Sequence, residues 1–427
     1  MSQKLRKSTG NLSATTVLRS YQAAALEITT GTNCIVSWID SAEDDVKRLD
    51  ELPPEQRGPL HGVPVSIKEC FDVAGTVNSC GMAKYADNET TLDCPAVSMI
   101  KNLGGVPFCK TNLSQMIYSL QCSNPLYGMT INPHSNEAYP RECGGSSGGE
   151  GALIGGGGSM LGLGSDTGGS LRNPVAFCGG YSLKPTVGRH LSQIGVVFGT
   201  NVNTVGVMTT GGYMARSAQA LEQAWRATWG IGINSKSSNS HKNDPNIVPI
   251  FWNEENYSKS VTIGYYTEPG LIPCTPGAAR AVKEAKKILE DAGYKMVPFP
   301  APDINKVLHL FNGILMADKN EAIFRNMEYD ICDSSLYWLV AVTKIYNLPN
   351  IVKNYVIHPL MKLLSRAPSI EKLFCKTSDL WVGMEERNQL IKSYLDLMDE
   401  AGVDIILCPG QMFPAPPTGH MFLSVLI

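Results

Sequence analysis

Apolar residues at helical spacing open the chain. In residues 13–28 (SATTVLRSYQAAALEI), Val17, Leu18, Tyr21, Ala25 and Ile28 share one side of a helix that Ser13 can cap. A polar, proline-containing stretch over 51–59 follows, and the β-branched run 62–67 (GVPVSI) predicts a strand ending at Lys68. Residues 94–103 predict a helix, Gly104 and Gly105 a break, and residues 106–109 (VPFC) a second short strand. Strands that emerge as continuous apolar runs, alternating with helices, predict an α/β fold whose sheet is covered on both faces.

Residues 144–169 break this texture, because half of the positions are glycine. Glycine and serine at such density suit a flexible linker. Ala152, Leu153, Ile154, Met160, Leu161 and Leu163 punctuate the run, however, so the segment is built to pack. Glycines there let backbones approach closely and let amides turn toward a ligand. Further on, residues 234–246 (NSKSSNSHKNDPN) read as a polar surface loop, 261–266 and 295–299 as strands, and 275–292 as a helix ending at Gly293. Residues 336–374 interleave apolar and aromatic side chains with Lys344, Lys353, Lys362, Arg366 and Lys372, with no acid between Asp333 and Glu371. Such texture fits a basic amphipathic helix in a membrane interface, and equally a surface helix pair covering the core.

Composition narrows the function classes. At 427 residues, 43% of them apolar or aromatic and 18% charged, the chain has material for a large buried core. A formal net charge of −3 gives no electrostatic case for nucleic-acid binding. The 12 cysteines are scattered, with no C-x-x-C pair and no Cys/His cluster of metal-ligand spacing, which predicts buried thiols in a reducing compartment and no metal. No apolar run follows the basic residues of the N-terminus, and none elsewhere reaches the ~18 residues of a membrane span. Any membrane contact is therefore expected to be peripheral, and the location intracellular.

Candidate chemistry concentrates in three places: Lys68, the Gly-Gly-Ser146-Ser-Gly-Gly turn, and the stretch Asp166-Thr-Gly-Gly-Ser170-Leu-Arg172. A serine hydroxyl attacks a carbonyl only when a base takes its proton, and the oxyanion that forms needs amide donors fixed beforehand. Consecutive glycines before Ser170 allow several N–H groups to converge on one point. Asp166 and Arg172 flank this loop with opposite charges and can brace it. None of the 7 histidines has the setting of a base; His61 comes nearest, without an acid beside it. A lysine can serve when neutral. Lowering its pKa from ~10.4 to near 7 takes roughly three units, about 4 kcal/mol, and the end of an apolar strand is a credible place for that desolvation. Alone, each feature has an ordinary structural explanation: a solvated lysine, a glycine turn, a surface serine.

Together they resemble the amidase signature family, and within it the fatty acid amide hydrolase branch of animals. The residues responsible are 58–71 (GPLHGVPVSIKECF), 122–133 (CSNPLYGMTINP), 144–154 (GGSSGGEGALI), 162–172 (GLGSDTGGSLR) and 177–186 (FCGGYSLKPT). The resemblance implies one amidase domain, with a central mixed, twisted β-sheet covered by helices on both faces. It implies a Ser–Ser–Lys relay: Lys68 as base, Ser146 as shuttle and Ser170 as nucleophile. The oxyanion donors would be the amides of Thr167, Gly168, Gly169 and Ser170. A substrate-facing carbonyl falls on Ile117, where the family usually carries methionine, and Ser147 is structural. No cofactor is called for. The implied substrates are fatty acid amides such as N-acylethanolamines, a preference that Glu150 and the 122–133 block favour. The 336–374 segment aligns with the part that family members dock on membranes, and a homodimer is a further expectation. The family's chains continue past Pro409, adding strands and part of the acyl pocket. A glutamine-hydrolysing subunit of a transamidation complex, and a catalytically silent lipid-binding isoform, are the rival readings.

Overall fold

The computed structural model describes residues 12–136, 138–190, 206–229, 247–248, 250, 252–253, 260–270, 272–318, 320–337 and 377–418. The polar loop expected over 234–246 and nearly all of the 336–374 segment lie outside them. Helix α1 (Ala14–Thr32) starts where the pattern predicts, with Ser13 Oγ accepting from the Thr16 amide at 3.1 Å. It runs a turn past Ile28 and stops at Asn33, whose left-handed backbone (φ 56°) turns its amide back to Thr29 O at 2.8 Å. Strand β1 (Ile35–Trp38), helix α2 (Ala42–Asp50), strand β2 (Val63–Lys68), helix α3 (Pro95–Asn102) and strand β3 (Gly105–Thr111) follow.

The glycine-rich stretch folds into helix α4 (Gly148–Gly156) and strand β4 (Leu161–Asp166). Its glycines act by close approach: a Cβ on Gly149 would stand 2.6 Å from Asn112 O and 2.7 Å from Cys34 O, both backbone atoms. Helix α5 (Arg172–Cys178), strand β5 (Tyr181–Ser182), strand β6 (Thr210–Ala215) and helix α6 (Ala218–Thr228) complete the central layer. The six-stranded sheet has the order β1-β3-β2-β4-β6-β5. β2 is parallel to β3 and to β4, whereas the β1–β3, β4–β6 and β5–β6 pairs are antiparallel, so the sheet is mixed.

Each face of the sheet has its own core. Val63, Val65, Ile67, Leu161, Leu163 and Tyr213 pack against Val97 and Ile100 of α3 and Leu221 and Trp225 of α6. On the other side Val106 and Phe108 meet Leu18 and Ala25 of α1, Val46 and Leu49 of α2, and Ala152 and Leu153 of α4. Full burial of each such Val, Leu or Phe contributes about 1.5–3 kcal/mol.

Strands β7 (Thr262–Tyr265) and β8 (Lys295–Pro298), separated by helix α7 (Pro276–Asp291), do not join the central sheet. They form a separate parallel sheet with β9 (Ile405–Leu407), in the order β8-β7-β9. Helix α8 (Ile304–Leu315) and the long helix α9 (Thr377–Glu400) complete what the site requires. Among the described residues no helix is long and apolar enough to cross a membrane, and every cysteine is a free thiol, most of them buried.

Candidate active site

Lys68 is the last residue of β2, a strand buried along its whole length, and none of its surface reaches solvent. Its Nζ donates to Ser146 Oγ at 2.8 Å and to Ser165 Oγ at 3.0 Å. Burial pushes the amine's pKa down from the ordinary lysine value, while Cys70, Cys80, Cys122 and Asp166 push it back up. A lysine so placed can shed its proton and accept one from Ser146, whose hydroxyl rotates to suit either role.

Ser146 stands just before α4, after a cis Gly145–Ser146 peptide. The turn is held from several sides. The Gly145 amide donates to Asn173 Oδ1 at 3.0 Å, the Ser114 amide donates to Ser146 O at 3.2 Å, and the Ser147 amide donates to Ser170 O at 3.3 Å. Ser147 Oγ donates to Ser165 O at 3.3 Å, a scaffold contact.

Ser170 follows the loop that leaves β4 and precedes α5. Exposure rises from 0% at Lys68 through 1% at Ser146 to 8% at Ser170, so of the three the expected nucleophile lies nearest solvent. The Ser170 hydroxyl makes no hydrogen bond to the described residues, so Lys68 and Ser146 are joined here and Ser146 and Ser170 are not. Contacts of this kind often tighten only when substrate is bound.

The loop itself is ordered by Asp166. Its carboxylate accepts from the Gly169 amide (2.8 Å), the Leu171 amide (3.0 Å), Arg172 Nε (3.0 Å) and Arg172 Nη2 (2.9 Å). Those donors hold the Asp166 carboxyl below the usual carboxylate range against the opposing effect of burial. The Gly169 N–H, expected among the oxyanion donors, is thus turned to Asp166. The amides of Thr167, Gly168 and Ser170 have no backbone acceptor among the described residues and remain open to an anion. Thr167 Oγ1 is anchored to Thr209 Oγ1. Because Asp166 is buried, Asp166→Ala removes the acceptor of two loop amides and the partner of the half-exposed Arg172 guanidinium; a loss of about 3 kcal/mol is expected in a urea unfolding curve.

Ile117 ends a short 3₁₀ turn in which Met116 (φ 54°) and Ile117 (φ 58°) are both left-handed. That conformation is a genuine strain for a β-branched residue. Gln115 clamps the turn, donating through Nε2 to Ile331 O at 2.7 Å and accepting from the Asp333 amide at 2.8 Å. Sequence reasoning missed this clamp, the Ser165 contact and the Asn173 anchor. Ser165 adjoins Asp166 in the motif block, but nothing local reveals which strand partner a serine will meet. No group of His, Cys, Asp and Glu among the described residues could hold a metal ion.

Comparison with known proteins bears on the fold and the family. The sequence pattern of the Amidase family matches residues 16–424. Fatty acid amide hydrolase 1 of Caenorhabditis elegans is 34% identical over 414 residues, covering 95% of this chain and 70% of that protein. Fatty-acid amide hydrolase 1 of Sus scrofa is 36% identical over 412 residues, covering 95% and 67%. A solved fatty acid amide hydrolase superposes with a TM-score of 0.76 at 26% identity, over 97% of this chain and 68% of that one. With that likeness running through the whole sheet, the chain belongs to the amidase signature family of amide hydrolases.

Proposed function

We propose that this chain cleaves long-chain fatty acid amides to fatty acid and amine through a Lys68–Ser146–Ser170 relay. The carrying observation is a fully buried lysine whose Nζ lies 2.8 Å from Ser146 Oγ. Neutral Lys68 takes the Ser146 proton while Ser146 takes the Ser170 proton and Ser170 Oγ attacks the carbonyl carbon. The amides of Thr167, Gly168 and Ser170 receive the oxyanion, and the Ile117 carbonyl accepts from the substrate N–H. As the tetrahedral intermediate collapses, Ser146 protonates the leaving nitrogen and Lys68 returns its proton to Ser146. Water then releases the acyl group from Ser170 by the same sequence. The chemistry requires no cofactor.

Two observations support an acyl-chain substrate. The named relatives at 34% and 36% identity are fatty acid amide hydrolases. The tip of the Phe311 ring on α8 also abuts Gly168, where a Cβ would stand 2.8 Å from Phe311 Cζ, and sets an apolar group beside the oxyanion loop. Peripheral membrane contact through the 336–374 segment, and a homodimer, belong to the same proposal. The test is a substrate panel on the purified protein. Fatty acid released from a long-chain primary amide and an N-acylethanolamine, with no ammonia from free glutamine, is the expected result. Ammonia from glutamine alone would move the chain to the glutamine-hydrolysing branch.

A further inference from the structure

Glu150 is a fully buried carboxyl that the relay does not use. It projects from the first turn of α4, four residues after Ser146. Thr111 Oγ1 of β3 donates to its Oε1 at 2.8 Å, and Ser66 Oγ of β2 donates to its Oε2 at 2.6 Å. Ser66 precedes Lys68 by two residues, so strand alternation sets the two side chains on one face. On the next strand Gly162 pairs with Ser66, and only a residue without Cβ leaves space there. A Cβ on Gly162 would lie 2.8 Å from Glu150 Cδ and 2.9 Å from Ser66 Oγ. Two hydroxyl donors and a vacated β-carbon position therefore shape the sheet around this one carboxyl.

We propose that Glu150 is a positioning residue for proton transfer: held by Ser66 and Thr111 on the Lys68 face of the sheet, it sets the proton affinity of the Lys68 amine and hence the pH at which turnover begins. The inference rests on the relay described above. An ionised carboxylate in a low-dielectric interior favours an ammonium nearby, and a neutral one does not. Burial raises the Glu150 carboxyl to about 7, with the Ser66 and Thr111 hydrogen bonds and the Lys68 charge acting against it. The carboxyl therefore changes charge near neutral pH, on the face of the sheet that carries Lys68.

The other titratable groups in reach are thiols and one paired acid. Cys34 and Cys109 feel the Glu150 charge; burial pushes Cys34 up to about 11 and raises Cys109 well above its ordinary value. Cys70, Cys80, Cys122 and the Arg172-paired Asp166 face Lys68. All of these are common to wild type and variants, so a comparison between them isolates Glu150.

The test follows the rate of fluorophosphonate labelling at Ser170 from pH 5 to 9, a readout that needs no assumption about substrate. Wild type, Glu150→Gln, Thr111→Val and Lys68→Ala are compared, each checked for folding by circular dichroism. Glu150→Gln removes the carboxylate while keeping its shape, so the acid limb is expected about one pH unit lower. On that limb the variant labels about tenfold faster than wild type, and at the alkaline plateau it labels more slowly because the amine is a weaker base. Thr111→Val deletes one donor that favours the ionised carboxyl and shifts the limb the same way by less. A folded Glu150→Gln with the limb in place overturns the inference. Should that variant fail to fold, an unmoved limb in Thr111→Val overturns it. Lys68→Ala separates the two readings: a limb that survives in it defeats the relay itself, whereas a limb lost there but unmoved in Glu150→Gln defeats only the role of Glu150.

Discussion

Ser170→Ala is expected to abolish acyl-enzyme formation, with a loss of about 10⁵-fold or more in amide turnover and no fluorophosphonate adduct by intact mass. The size follows from chemistry that has no substitute: without Oγ no covalent intermediate can form, and Ser146 lies deeper, at 1% exposure. The same change should leave stability nearly untouched. The Ser170 hydroxyl makes no hydrogen bond to the described residues, and its carbonyl, which accepts from the Ser147 amide, is kept. Loss of activity with an unchanged melting temperature is therefore the signature. A variant that still forms a covalent adduct at the wild-type rate would reassign the nucleophile.

Replacing Lys68 with methionine carries the second large effect, and it has two opposite signs. Amide hydrolysis should fall by about 10³-fold, the scale of a general base, equivalent to about 4 kcal/mol of barrier. Esters should suffer less, because an alkoxide leaves with less help from a proton than an amine does. Stability should move the other way. Burial depresses the amine's pKa in the folded state, so the folded protein holds that proton less tightly than the unfolded chain. A group of this kind favours folding above its unfolded pKa, and that contribution is lost as pH falls through the folded value. At neutral pH the wild type therefore carries a penalty that methionine removes, and Lys68→Met should melt at a higher temperature. The gap should be widest at low pH and close as pH rises toward the ordinary lysine range, as thermal scans across pH would report. Equal amide rates in variant and wild type would dismiss the relay.

These opposite effects explain why a lysine at the end of a buried strand is informative. A buried amine whose proton affinity is lowered at a cost to stability is the pattern expected where activity and stability compete. Ser146 and Ser165 receive the amine's hydrogen bonds, so its burial is not left uncompensated.

Much of the architecture was legible from local pattern. The Ser13 cap, the buried run ending at Lys68, the proline-started helix after Cys94 and the strand after Gly104 each rest on residues within a few positions of one another. Elements without that local signal escaped notice. Helix α9 buries a single residue, Gly383, among those described; its spaced apolar residues Leu380, Met384, Tyr394 and Met398 are only half-buried, and exposed Trp381, Val382 and Leu395 blur the stripe. Strand β6 runs TGGYMA, where neighbouring glycines dilute the β signal although the strand is wholly buried.

The amino-acid sequence alone determined the chemical types and their spacing: a lysine at the end of a buried strand, and two serines in glycine-bounded turns 24 residues apart. Only the tertiary structure decided their partners. Strand pairing brought Ser165 to Lys68, loop closure gave the Gly169 amide to Asp166, and the meeting of β2, β3, β4 and α4 built the enclosure around Glu150. The division has one physical cause. Helical and strand periodicity arise from neighbours along the chain, whereas burial, proton affinity and hydrogen-bond partners depend on segments that meet only through long-range packing.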